Sequence, residues 1–317
     1  GPGRMVVTAC FRPWHGAFSE VYEEMKTVTI DGIVLYLSQP DELPMIWVGQ
    51  EELVTQIMAA WLVMGTGDFP LNPRLIGKPG VGKTTLAYHA ARQLGHPVYL
   101  FQATIDTRPE DLILTPVISD QGKIKYMASS IVSAMIMGGV AVIDEGNRMS
   151  EKSWASLAPL MDNRRYVESI VAGIKIAAHP DFRLCTTMND DASTFDLPEY
   201  IHSRLQPQIF IDFPDREEER LILSANLPYA DDQILDYVVN FLQIAHEAQE
   251  RYTVRDGINI ARYALKRLDM AGSRGDTAGA KKRIIALLKQ AAAMILDENA
   301  AEYFATIIDI YDDKRSI

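Results

Sequence analysis

The stretch "GKPGVGKTT" occupies residues 77–85, after "NPRLI" and before "LAYHAARQL". Gly77-Lys78-Pro79-Gly80-Val81-Gly82-Lys83-Thr84 satisfies G-x-x-x-x-G-K-[ST], with a short apolar run before it and a helical pattern after it. That context predicts a strand, a phosphate-cradling turn and a helix. The glycines let backbone N–H groups converge on a phosphate, and the helix start adds the positive end of its dipole. Lys83 is placed to reach the β- and γ-phosphates of a nucleotide, and the Thr84 hydroxyl to ligate Mg2+. Gly77, Pro79, Gly80, Val81, Gly82 and Thr85 complete the candidate phosphate-binding set. Lys78 receives no role from the sequence alone.

Outward from this loop, strand and helix signals alternate. Five apolar runs read as buried strands: "RLIG" (74–77), "VYLFQ" (98–102), "VAVID" (140–144), "RLCTTM" (183–188) and "QIFIDF" (208–213). Continuous apolar runs separated by helical segments predict an α/β fold whose parallel sheet is covered on both faces. After Pro214 the strand signals end and four helical stretches follow, with "GSRGDTAG" (272–279) as a loop between two of them. The division expected is residues 1–45 as an N-terminal extension, 46–213 as the nucleotide-binding α/β domain and 214–317 as a smaller all-helical domain. Within the extension, "KTVTIDGIVLYL" reads as a hairpin around Asp31-Gly32. Leu53, Ile57, Trp61 and Met64 then recur at helical spacing. "GPGR" at the start resembles a cleavage scar, with Met5 as the expected native start.

The 317 residues carry 31 basic and 42 acidic side chains, a net charge of −11. This balance argues against a broad non-specific hold on nucleic acid, which needs a basic face. The two cysteines, Cys10 and Cys185, have no near partner, and the six histidines form no metal-ligand spacing. A reducing cytoplasm is the simplest compartment. The apolar stretch "SIVSAMIMGGVAVI" is too short to span a bilayer.

A phosphate cradle needs an acidic partner at the end of another strand. "GGVAVIDEGNRMS" supplies Asp144 and Glu145 after four apolar residues. Asp144 would hold Mg2+ through its water shell, and Glu145 would orient or deprotonate an attacking water. A switch GTPase does not need the second acid, and a kinase activates a substrate hydroxyl instead, so the pair points to water as nucleophile. Alone, Asp144 reads equally well as a carboxylate capping a strand-end turn.

The order of cradle, "IDEGNRM", "LCTTMN", "IHSRL" and "TVRDG" resembles an AAA+ ATPase, and more narrowly the MoxR branch with its CbbQ, NorQ and GvpN relatives. That branch carries DE-x-NR, matched by Asp144, Glu145, Asn147 and Arg148. The resemblance covers roughly residues 46–270. It implies a doubly wound five-stranded P-loop sheet, a helical lid, ATP with Mg2+, and a ring-forming subunit. It also implies two inserted hairpins, placed at "TPVISDQGKIKYM" and "RRYVESIVAGIKIAAHPDF". By the same resemblance, Asn189 is the polar residue that helps position water, on a strand between the cradle strand and the acidic strand. Arg204 takes the arginine-finger place, although the family's usual Arg-Phe is Arg204-Leu205 here. Arg255 takes the second sensor place, with Arg262 as rival. Val48 and Gly49 would pack beside the base. Arg148 is open between a neighbour's nucleotide and a structural ion pair.

Three functions are weighed. The first is an ATP-driven machine that remodels a protein client, as a ring that the resemblance implies to be hexameric, with a von Willebrand factor A domain partner. The second is a nucleic-acid or defence ATPase, which the acidic balance disfavours; "NRR" (163–165) and "KKR" (281–283) read as solvated charges. The third is a small-molecule kinase, disfavoured by the second acid and the long helical C-terminal part.

Overall fold

Alternation of side chains along the buried strands decides the layers. The computed structural model describes residues 26–44, 46–119, 121–190, 197–270 and 277–304, the side chains from 283 on in the last span. The expected scar, Met5 and Cys10 lie outside these residues, as do 272–276 of the expected loop. A hairpin of β1 (Thr27–Ile30) and β2 (Ile33–Tyr36) precedes helix α1 (Glu51–Trp61). Then come β3 (Arg74–Gly77), α2 (Lys83–Gln93), β4 (Val98–Gln102), α3 (Pro109–Leu112), β5 (Leu114–Ile118), β6 (Ile124–Ala128), α4 (Ser130–Met137) and β7 (Val140–Asp144). A 3-10 turn at Gly146–Arg148 leads to α5 (Glu151–Leu157), β8 (Tyr166–Ser169), β9 (Ile174–Ala177), β10 (Arg183–Asn189), α6 (Glu199–His202) and β11 (Gln208–Ile211). The helices α7 (Arg216–Asn226), α8 (Asp232–Glu247), α9 (Val254–Met270) and α10 (Thr277–Ile295) follow.

The five apolar runs form one parallel sheet in the order β11-β3-β10-β7-β4. Val140 and Val142 of β7 point into a core with Leu75, Leu86 and Trp61, under α1 and α2. Ala141 and Ile143 point into the opposite core, with Leu112, Ile131 and Trp154. Period-two alternation of residues that are apolar on both faces thus builds a three-layer stack. Trp61 closes α1 onto the sheet: its indole N–H donates to the Leu184 carbonyl at 3.1 Å. The helix stops there, and Met64, grouped with it by spacing, lies beyond and is exposed.

The register brings chemistry to one rim. Gly77 pairs with Asn189, and Gln102 pairs with Asp144, so the carboxyl ends of β3, β10, β7 and β4 sit side by side. This is the edge where open α/β sheets bind ligands.

The N-terminal hairpin does not stand apart. β2 pairs in parallel with β6, giving a second sheet in the order β1-β2-β6-β5. Leu35 is fully buried beneath it, and Ser38 is tied on both sides, its N–H to Ser133 Oγ at 2.8 Å and its hydroxyl to the Ala128 carbonyl at 2.9 Å. β8 and β9 form the second inserted hairpin.

The helical part has its own core, in which Phe241 stacks on Phe304 with centroids 4.4 Å apart among Leu242, Ile260 and Leu288. Asp215 and Glu218 form a reciprocal capping box that starts α7. The last stretch, expected as one helix, is broken: α10 ends at Ile295, and Asp297 caps a further helix at 298–304 by accepting from the Ala300 N–H. Residues 277–279, expected in the loop, open α10.

Leu35→Ala should destabilise the chain by about 2–5 kcal/mol through the cavity it leaves. Urea unfolding measures this, and a cost near zero would mean that the hairpin is not docked on the inserted strands.

Candidate functional site

The turn between β3 and α2 depends on two backbone conformations. Gly80 has φ +85° and Gly82 has φ +96°, both in the region that favours glycine. A Cβ on Gly80 would come within 2.6 Å of Thr253 Oγ1, and one on Gly82 within 3.1 Å of the Trp47 ring. The loop is therefore a bare backbone cradle with the helical part and Trp47 against its flanks. Lys83 is buried and donates to the carbonyls of Gly77 at 2.9 Å and Lys78 at 2.8 Å. These bonds close the loop on itself at the N-terminus of α2.

At the adjoining strand end, Thr84 Oγ1 donates to Asp144 Oδ1 at 2.7 Å. The Thr187 hydroxyl makes a short hydrogen bond to the same oxygen. Glu145 follows with φ +55°, which costs a non-glycine residue about 1–2 kcal/mol. Its N–H donates to Thr187 Oγ1 at 3.0 Å, which holds that conformation. Its carboxylate is gripped from three directions: Asn189 Nδ2 at 3.1 Å, Gln102 Nε2 at 3.2 Å and Arg148 Nε at 2.7 Å. Asn189 is itself buried and steadied by Asn147, whose Nδ2 donates to the Asn189 carbonyl at 2.9 Å. Within the chain, Arg148 is paired with Glu145.

Beside the loop lies an open cleft of about 280 Å³. Its walls include Trp47, Val48, Gly80, Thr85, Arg255 and Arg262. The two candidate second-sensor arginines, both on α9, thus face the same space as the phosphate loop. Gly49 lies against Glu218, which accepts from the Gln50 N–H at 3.1 Å. The capping residue of α7 therefore also anchors the segment expected beside the base.

Arg204 sits elsewhere. Its Nη2 is 3.2 Å from Asp162 Oδ2, and its Nη1 donates to the Tyr200 carbonyl at 2.7 Å. Arg164 also binds Asp162, at 2.7 Å, and its hydrogen bond is the main cause holding the Asp162 carboxyl far below the usual range. Among the described residues its side chain is held by Asp162 and Tyr200.

The structure brings Lys83, Thr84, Asp144, Glu145 and Asn189 to one rim, and adds Gln102, Thr187, Trp47 and Glu218, which sequence reasoning did not single out. Only Glu218 had a local signal, the Asp-x-x-Glu capping spacing. Among the described residues no group of three or more His, Cys, Asp or Glu could hold a metal. Thr84 and Asp144, one hydroxyl and one carboxylate, nevertheless fit Mg2+, which keeps several waters and takes phosphate oxygens as further ligands.

This geometry is that of an AAA+ P-loop ATPase fold, and the chain contains an AAA+ ATPase domain. Residues 74–205 match the model of the AAA domain (dynein-related subfamily). Among curated proteins, Protein MoxR of Paracoccus denitrificans is 26% identical over 213 residues, covering 67% of this chain and 55% of the relative. The chain thus spans about half the length of that relative. Gas vesicle ATPase GvpN of Haloferax mediterranei is 27% identical over 255 residues, covering 70% of this chain and 67% of the relative. Among solved structures, the RuvB Holliday junction branch migration motor of Thermotoga maritima aligns with a TM-score of 0.55 at 18% identity, over 84% of this chain and 78% of RuvB. That likeness is one of fold. No helix among the described residues is long and apolar enough to cross a membrane.

Gly80→Ala should lower ADP affinity at least about tenfold, because the side chain both opposes a positive φ and collides with Thr253. Calorimetric titration checks this, and unchanged affinity would mean that the loop does not hold the phosphates.

Proposed function

We propose that the chain is an Mg-ATP-hydrolysing machine of MoxR type that remodels or matures a protein client. The observation that carries its hydrolytic part is the triple grip on Glu145 at the rim beside the phosphate loop. A carboxylate so placed can take a proton from water at the outer phosphate, with Asn189 aligning the same water. Lys83 and the N–H groups of 80–85 bind the β- and γ-phosphates, and their fixed dipoles offset charge that develops there. Thr84 and Asp144 would hold Mg2+, which would supply Lewis acidity on the phosphate oxygens. Val48 and Gly49 pack beside the base, and Arg255 senses the γ-phosphate from the helical part, with Arg262 as its rival.

In this reading the chain works as a ring, hexameric by the family pattern, and Arg204 reaches the neighbouring subunit's nucleotide. A partner bearing a von Willebrand factor A domain, a protein client and a cytoplasmic location belong to the same proposal. The partner and client rest on the resemblance to MoxR and GvpN, and the location on the two unpartnered cysteines of the sequence. A second reading, action on nucleic acid, has only the fold likeness to a branch migration motor in its favour. The net charge of −11 weighs against it. The kinase reading lacks support, since the acid beside Asp144 suits water as acceptor.

Glu145→Gln should keep ADP affinity and lower ATP turnover by about 10²–10⁴-fold, as expected for loss of a general base. Phosphate-release assays on the full chain measure it, and normal turnover would remove Glu145 from the mechanism.

Arg204→Ala should be inactive alone yet regain turnover when mixed with Glu145→Gln subunits, because each supplies what the other lacks across a shared border. Mixed-ring assays over a range of ratios test this, and no recovery at any ratio would confine Arg204 to its ion pair.

A further inference from the structure

Lys78 acquires a partner in the fold. Its Nζ lies 4.2 Å from the centroid of the Phe213 ring. The imidazole of His246, on α8, stacks on the same ring at 3.8 Å and 11°. Two groups this close to one centroid occupy opposite faces, so Phe213 is sandwiched between the phosphate loop and the helical part.

The tautomer of His246 is fixed by its neighbours. Nε2 is 2.7 Å from the Tyr252 carbonyl, which can only accept, so Nε2 carries a proton. A neutral ring then leaves Nδ1 as a bare lone pair. That lone pair faces Glu219 Oε1 at 3.6 Å. Glu219 is fully buried on α7; its Oε2 accepts from Gln243 Nε2 at 2.9 Å, while Oε1 has no hydrogen-bond partner. A carboxylate oxygen facing a lone pair in a buried site is repulsive. One proton between them removes the repulsion, either as a neutral acid beside a neutral ring or as a carboxylate beside an imidazolium.

The surroundings favour the first arrangement. Burial, and then the charge of Lys78, hold His246 below its ordinary range, against the Tyr252 carbonyl and Asp212, which pull it up. Burial pushes Glu219 up to about 7, with Gln243 and Arg216 opposing and Asp215 assisting.

We propose that Glu219 and His246 hold one shared proton, and that Phe213 and Lys78 link this proton to nucleotide binding at the phosphate loop. The linkage rests on the nucleotide-binding reading of that loop. A polyphosphate beside Lys78 offsets the ammonium charge, so the pair keeps its proton more firmly. By reciprocity, nucleotide affinity falls as pH rises through the pair's titration.

Glu219→Gln tests both halves, since its amide can donate to Nδ1, can accept from Gln243 and does not titrate. First, Tm of the full chain without nucleotide is measured from pH 5 to 8. The wild-type carboxyl, ordinarily at 4.5, keeps its proton in the folded chain up to about 7. Wild type therefore loses stability relative to the variant across that window, and the difference levels off above it. A Tm difference independent of pH overturns the shared proton. Second, ADP affinity is measured over pH 6–8.5. Wild type should weaken about fivefold more than Glu219→Gln, and Lys78→Gln should flatten the wild-type dependence. Equal slopes in wild type and Glu219→Gln overturn the linkage. A chain that binds no ADP at any pH overturns the nucleotide reading and the linkage together, while the Tm series still decides the proton. Should Glu219→Gln fail to fold, the wild-type enthalpy of ADP binding in buffers of different ionisation heat reports proton uptake at pH 7. Uptake greater than in Lys78→Gln supports the linkage, and equal uptake overturns it.

Discussion

One carboxylate oxygen ties the site together. Asp144 Oδ1 accepts hydroxyls from Thr84 and Thr187 at once. Thr84 belongs to the helix that follows the phosphate loop, and Thr187 to the central strand. The bonds therefore clamp loop, acidic strand and central strand at one point, and Thr187 Oγ1 passes the constraint on by accepting from the Glu145 N–H. Glu145 can hold its left-handed backbone only because this anchor and the grip on its carboxylate over-determine it. The parallel register makes the clamp possible, since it brings Gly77 beside Asn189 and Asp144 beside Gln102. A slip of one residue along β10 would turn Thr187 and Asn189 to the other face.

The same rim carries a second connection, toward the helical part. Glu218 caps α7 and also accepts from Gln50, while Thr253 stands against Gly80. Two elements on either side of the loop thus bear on the helical part through single side chains. A shift of α7 or α9 therefore bears directly on residues 49–50 and on the cradle.

What the sequence made legible follows from the range of each interaction. The cradle, the acidic pair and the five strands are written in contiguous residues, so periodicity and spacing found them. Asn189 needed only the strand order, which the resemblance supplied. Gln102 ends a strand like any other polar residue, and only its pairing with Asp144 exposes its reach to Glu145. The union of β2 with β6 was hidden for the same reason: both hairpins were readable, but Leu35 opposite Tyr126 is a long-range pairing with no local signature. Lys78 is the extreme case, because its partner Phe213 lies across the whole α/β part of the chain.

Arg204 raises a question of magnitude. Within the chain it is held by Asp162, and a finger that serves a neighbour must leave that carboxylate. The ion pair is partly exposed, with side-chain accessibilities of 26% and 24%, and such pairs contribute about 0–1 kcal/mol. A finger in the transition state contributes about 10³–10⁵ in rate, roughly 4–7 kcal/mol. Departure of Arg204 does not strand Asp162 either, because Arg164 holds both its oxygens, at 2.9 and 2.7 Å. The tether is thus weaker than the demand proposed for it, and its anchor stays neutralised when it is released. On the proposed reading, the pair within the chain and the reach to a neighbour would be two resting places of one side chain, with Asp162 keeping the guanidinium oriented between them.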